Sequence, residues 1–110
     1  MKGFGGGGGG MQQLMRQANQ MQSKIKKLQE ELATREFEGT SGGDAVKIKV
    51  NGANLLTAVT INEEVVKAGD VEMLQDLILT ATNDALNVAK KTSDSEMAKI
   101  TGGFPMPGQI

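Results

Sequence analysis

The side chains best suited to chemistry in this sequence are Arg16, Gln20, Lys24 and Lys27. On a helix, at about 100° per residue, they and Gln13 fall within an arc of about 80°. Bases attract phosphates, and glutamine or asparagine can hydrogen-bond a phosphate or a base edge. Gln12, Gln17 and Asn19 lie nearby. The same residues also make an ordinary solvated helix face, so composition alone leaves both readings open. Lys90 and Lys91 carry a similar ambiguity, since cations suit the C-terminal half of any helix.

Other chemistry is poorly supplied. There is no Cys and no His, so the usual thiol and imidazole nucleophiles, bases and metal ligands are missing. Glu30-Glu31 and Glu63-Glu64 are sequence neighbours, which on a helix point about 100° apart and form no acid–base dyad. Asp44 and Asp70 read as turn and cap residues. The glycine run formally contains G-x-G-x-x-G at Gly5, Gly7 and Gly10. It has no preceding strand and no Gly-Lys-Ser/Thr, so neither a dinucleotide fingerprint nor a phosphate loop is made. The expectation is a protein without catalytic residues, cofactor, metal or small-molecule substrate.

The elements that must hold the basic face follow from periodicity. Met11, Leu14, Ala18, Met21, Ile25, Leu28 and Leu32 are spaced 3-4-3-4-3-4, a strict heptad. A helix of about 25 residues there is about 37 Å long. The segment around Phe37 reads as strand or loop, and Gly42-Gly43 as a loop. Val46, Ile48 and Val50 alternate on one face, with Ala53, Leu55, Thr57, Val59 and Ile61 on the same face across either a two-residue turn at Asn51-Gly52 or a four-residue loop from Asn51 to Asn54. The opposite face is wet apart from Leu56. A connection with a turn of helix near Val65-Val66 leads to Gly69 and to Asp70, a good N-cap. From Val71 to about Met97 a second helix carries one apolar stripe through Leu74, Leu77, Ile78, Ala81, Ala85, Val88 and Ala89. A second stripe holds Leu79 and Leu86.

These elements make one α+β domain at 11–100: a long N-terminal helix, a small antiparallel sheet of two or three strands around a central hairpin, and a long C-terminal helix. Residues 1–10 read as a flexible Gly-rich tail and 101–110 as a flexible Gly/Pro tail. A seven-residue strand spans about 23 Å, so a 37 Å helix overhangs its sheet by more than two turns. Met11, Leu14 and Ala18 then have nothing of their own subunit to cover, and Leu79 and Leu86 form a second unclaimed stripe. A symmetric homodimer resolves both, with these five residues at the interface; packing of Leu79 and Leu86 within the subunit is the simpler alternative for that pair. Net charge is −1 overall but uneven. Residues 1–35 hold six bases against two acids, net +4; residues 61–80 hold five acids against one base, net −4. No apolar run is long enough to cross a membrane and no signal peptide is evident, so a cytoplasmic protein without membrane contact is expected.

The order of parts resembles the YbaB/EbfC nucleoid-associated family of bacteria. The resemblance rests on "MQQLMRQANQMQSKIKKLQEELA", "EGTSGGDAVKIKVNG", "EMLQDLILTATNDAL" and "GGFPMPG". It implies a homodimer with a shared β core, projecting helices that contact double-stranded DNA, a place in the nucleoid, and a role in nucleoid organisation or gene regulation. Carried onto this chain, the DNA-contacting residues are Arg16, Gln20, Lys24 and Lys27 on the first helix and Lys90 and Lys91 on the second. Between Leu74 and Ala89 the second helix has Asp76 and Asp84 and no base, which argues for phosphate contacts with weak sequence preference. The alternative function is a dimeric adaptor that grips another protein through its Met-rich, coiled-coil-like helix or the Leu79/Leu86 stripe, without touching DNA.

Overall fold

Local rules set the boundaries of each element. The structure, a computed structural model, describes residues 2–102, with side chains from residue 10 onward. The order is α1 (Lys2–Thr34), β1 (Glu36–Ser41), β2 (Val46–Asn51), β3 (Leu56–Ile61), α2 (Glu63–Lys67) and α3 (Val71–Thr101). The segment around Phe37 is a full strand, so the antiparallel sheet has three strands in the order β1-β2-β3. Between β1 and β2 the chain takes three successive left-handed residues, Gly42, Gly43 and Asp44. Two glycines and an aspartate are the residues that adopt this conformation most cheaply. Asp70 caps α3 by accepting from the Met73 N–H at 3.0 Å, and Gly102, left-handed, closes it by donating to the Ala98 carbonyl.

Helix α1 begins at Lys2 and therefore takes in the glycine run that composition assigns to a tail. Glycine is free to adopt helical angles but loses about 1 kcal/mol per residue relative to alanine there, so this is the least favoured part of α1. At its other end α1 stops at Thr34, because Phe37 is claimed by the sheet. Helix α3 runs to Thr101, about a turn beyond the expected end. The expected C-terminal tail falls almost wholly on residues 103–110, outside the described residues.

The core is one sheet face under α3. Val46, Ile48 and Val50 are fully enclosed, with Phe37, Leu32, Ala81, Ala85 and Ala89 around them. The three alanines are spaced at i, i+4, i+8, a stripe without bulk. It meets Gly39 of β1: a Cβ built there would lie 2.2 Å from the Ala85 nitrogen and 2.3 Å from the Ala81 oxygen. Two polar ties fix the same contact. Ser41 Oγ donates to the Leu77 carbonyl at 2.6 Å, and the Thr40 N–H donates to the Asp84 carboxylate at 3.0 Å.

The hairpin departs from the simple alternation. Val46 faces Ile61 and Ile48 faces Val59, as the pattern requires. A register shift at Lys49/Val50 then sets Val50 opposite Leu56, leaving Thr57 as the extra residue. Leu56, expected on the wet face, stands across from Val50. Leu55, expected in the apolar row, falls in the loop, where it is exposed. Thr57, expected inward, instead donates its hydroxyl to Glu36 at 2.5 Å. The loop is anchored at both ends. Asn51 Oδ1 accepts from the N–H groups of Ala53 and Leu55, and the Gly52 N–H donates to the Leu32 carbonyl at 2.9 Å.

Gly39→Ala should be among the most damaging single-methyl additions, because backbone on the facing helix has nowhere to go. The expected loss is about 3 kcal/mol, or a melting point lower by roughly 15 °C in thermal denaturation followed by circular dichroism. Gly10→Ala, where nothing lies within 4 Å, should leave the melting point unchanged or raise it. Equal effects of the two changes would refute the close-contact account.

Candidate nucleic-acid interface

The basic face of α1 is set by what the opposite face does. Burial along the heptad seam falls steadily away from the core. Leu32 is buried, Leu28, Ile25 and Met21 are half-buried, and Ala18, Leu14 and Met11 are exposed. The last stretch of seam leans on α3, which α1 contacts. This fixes the rotation of the rod about its axis. Arg16, Gln20, Lys24 and Lys27 consequently point away from the seam, and all four are exposed. From Arg16 to Lys27 the face extends about 16 Å. That is near half a helical turn of a DNA duplex.

These cations are also uncommitted. Among the described residues the ion pairs are Arg35 with Glu31, Lys67 with Glu63 and Lys99 with Glu96. Arg16, Lys24 and Lys27 are in none of them. Lys26, beside them on α1, is exposed and in none of these pairs either, whereas Arg35, just past the end of α1, is occupied: its guanidinium also lies 5.7 Å from the centre of the Phe37 ring.

The two α3 lysines do not extend that face. Both are exposed, but they are neighbours in sequence and point about 100° apart. Lys90 borders a cleft of about 490 Å³ where α1, β1, the β2–β3 loop and α3 meet. Leu32, Phe37 and Leu86 floor it, and Asn54 and Asp94 lie at its rim with Lys90. Because four separate segments build this cleft, no single sequence motif announces it. Leu86 packs against the buried core of its own chain, whereas Leu79 is 60% exposed.

One surface escapes a reading by alternation. Strand β3 is exposed along nearly its whole length, because α3 lies over β1 and β2. Leu56 and Val59 are 49% and 51% exposed although they belong to the apolar row. Alternation identifies the face for Val59 but not for Leu56, and only the position of α3 reveals that this strand lies outside its cover. The outer sheet face is polar and of mixed sign, with Glu38 opposite Lys49 and Thr40 opposite Lys47. Among the described residues no three metal-ligating side chains converge, and no helix is long and apolar enough to cross a membrane.

Comparison with known proteins agrees with this architecture. The chain is 53% identical over 102 residues to the nucleoid-associated protein TTE0040 of Caldanaerobacter subterraneus subsp. tengcongensis, covering 93% of this chain and 92% of that one. It is 49% identical over 110 residues to the nucleoid-associated protein NT01CX_0824 of Clostridium novyi, covering 98% and 96%. In the crystal structure of the uncharacterized protein HP0035 from Helicobacter pylori the fold recurs with a TM-score of 0.67, at 22% identity, over 82% of this chain and 95% of that one. Residues 7–104 match the family described as YbaB/EbfC DNA-binding. The match runs through arm, sheet and long helix alike, and the chain belongs to the YbaB/EbfC DNA-binding family.

Proposed function

We propose that this protein is a homodimeric, nucleoid-associated DNA-binding protein that holds duplex DNA by its phosphates with weak sequence preference. The observation that carries the reading is the exposed, unpaired face of Arg16, Gln20, Lys24 and Lys27 on the side of α1 turned away from the seam. A chain of net charge −1 has no global attraction for a polyanion, so local segregation of charge must supply it. Family membership and the names of the relatives point the same way. With the cations on a rod, contact to backbone phosphates is geometrically direct, whereas reading of base edges has little to work with. Lys90 and Lys91 contribute less, being split between two directions.

The dimer in this reading is formed over β3. Leu56 and Val59, with Leu55 in the adjoining loop, are 49%, 51% and 62% exposed, a row of large apolar side chains left open along one strand. A second copy laid over that strand would cover it and double the number of basic rods. The bases of both arms would then act on one duplex, and their phosphate contacts would add.

Two measurements test these parts. In mobility-shift titrations, wild-type affinity should fall steeply between 50 and 200 mM salt, with a log–log slope of about −0.9 per phosphate contact. The variant Arg16→Ala/Lys24→Ala/Lys27→Ala should bind at least roughly tenfold more weakly at fixed salt and show a shallower slope. These are surface positions, so its melting point should be unchanged within about 0.5 kcal/mol of stability. Unaltered affinity in this variant removes the assigned face, and protein partners that survive nuclease treatment while DNA is not bound would favour the adaptor. For the dimer, wild-type protein should sediment as two copies at micromolar concentration, and Leu56→Asp/Val59→Asp as one. A folded wild-type monomer would rule out the β3 interface.

A further inference from the structure

The part of α1 that reaches past its own core carries an apolar stripe which neither the core nor the basic face uses. Every residue from Gly10 to Gln20 is exposed. Met11, Leu14 and Met15 are 63%, 64% and 63% exposed, values that belong to no core residue. At about 100° per residue, Leu14, Ala18, Met11 and Met15 fall within an arc of about 100°. The centre of that arc lies nearly opposite Arg16, Gln20, Lys24 and Lys27.

We propose that this stripe pairs antiparallel with the same stripe of a second copy, and that the pair links two DNA duplexes. The inference rests on the DNA-binding reading above. Three observations select the occupant. First, the stripe continues the heptad seam that α3 covers further down, so it already has the spacing of a helix-pairing surface. Second, residues 11–20 hold no acid, and their one base, Arg16, faces away, so two copies meet without charge in the seam. DNA itself is a poor occupant: with the stripe against a groove, the cations would point away from the phosphates. Third, the contact is small. Three long side chains and an alanine fall well short of the ~1,000 Å² expected of a self-sufficient interface.

The last point sets the behaviour. Such pairing is too weak to build assemblies in free solution, and becomes effective when DNA holds many copies close together. Opposition of the two faces then does the rest. When the apolar stripes meet, the basic faces lie on opposite sides of the helix pair, each open to a different duplex. Methionine suits a contact of this kind, because its flexible chain tolerates imperfect register.

The experiment uses full-length protein, a biotinylated duplex on beads and a second, fluorescent duplex in solution. Wild-type protein should retain the fluorescent duplex on the beads. Met11→Gln/Leu14→Gln/Met15→Gln keeps helix propensity while removing the stripe. It should bind one duplex within about twofold of wild type, a change under 0.5 kcal/mol, yet lose retention of the second to background. Met11→Leu/Met15→Leu should retain it. Retention by the glutamine variant would overturn the proposal, as would wild-type protein that binds the first duplex but never the second. Failure to bind the first duplex would instead sink the DNA-binding reading. The chain has no cysteine of its own, so Leu14→Cys supplies a clean probe. Disulfide formation should need DNA and rise with its loading; rapid formation in dilute, DNA-free protein would place the stripe inside the dimer and overturn the inference.

Discussion

Helix α3 rests on the sheet with almost nothing between the two backbones. Gly39 has no side chain, Ala81 and Ala85 have only a methyl each, and all three are buried. That approach lets the Ser41 hydroxyl and the Thr40 amide reach partners on the helix. A close-packed junction is stiff, since any added methylene forces a shift of main chain. It gives a chain with three Phe and no other aromatic residue a defined core, built from fit rather than from bulk. The position of α3 over β1 and β2 then decides what remains uncovered. Strand β3 is left at the margin, and the first half of α1 extends beyond the body.

Charge follows the same geometry. The chain is nearly neutral, yet its cations are concentrated in α1 and its acids in α2 and the start of α3. On α1 the seam and the bases occupy opposite sides, so burying one necessarily presents the other. This is an economical way to orient long, flexible side chains: their direction is set by where leucine and isoleucine must go. In the proposed reading that orientation serves DNA, because a duplex offers phosphates at regular intervals along a surface that a straight helix can follow.

Much of this was legible in the residues themselves. The heptad from Met11 to Leu32 fixed a helix and its inner face, and Asp70 after Gly69 marked the start of α3. What stayed hidden was non-local. The bulge that moves Leu56 and Thr57 between faces leaves no trace in an alternating pattern, because apolar residues stand on both sides of it. Leu79 and Leu86 look alike on a helical wheel. Only the junction with Leu32 and Phe37 separates them, drawing Leu86 inward. The exposure of Val59 depends on where a helix twelve or more residues away comes to lie. The basic face was readable as a cluster, but its freedom from ion pairs was not, since Glu30 and Glu31 are close enough in sequence to have claimed a lysine.

The hydrogen bond from Gly52 to the Leu32 carbonyl has a mechanical meaning. It ties the tip of the hairpin to the root of α1, in a space where a Cβ would lie 2.0 Å from that oxygen. Helix α1 has 33 residues and so measures about 49 Å. A pivot at one end of such a lever magnifies what happens there: a tilt of about 5° at the root swings the far tip by about 4 Å, more than two helical rises. Tension applied to the tip returns as torque shared between this loop and the part of α3 under the seam, and through the loop it reaches the strand whose apolar row is uncovered.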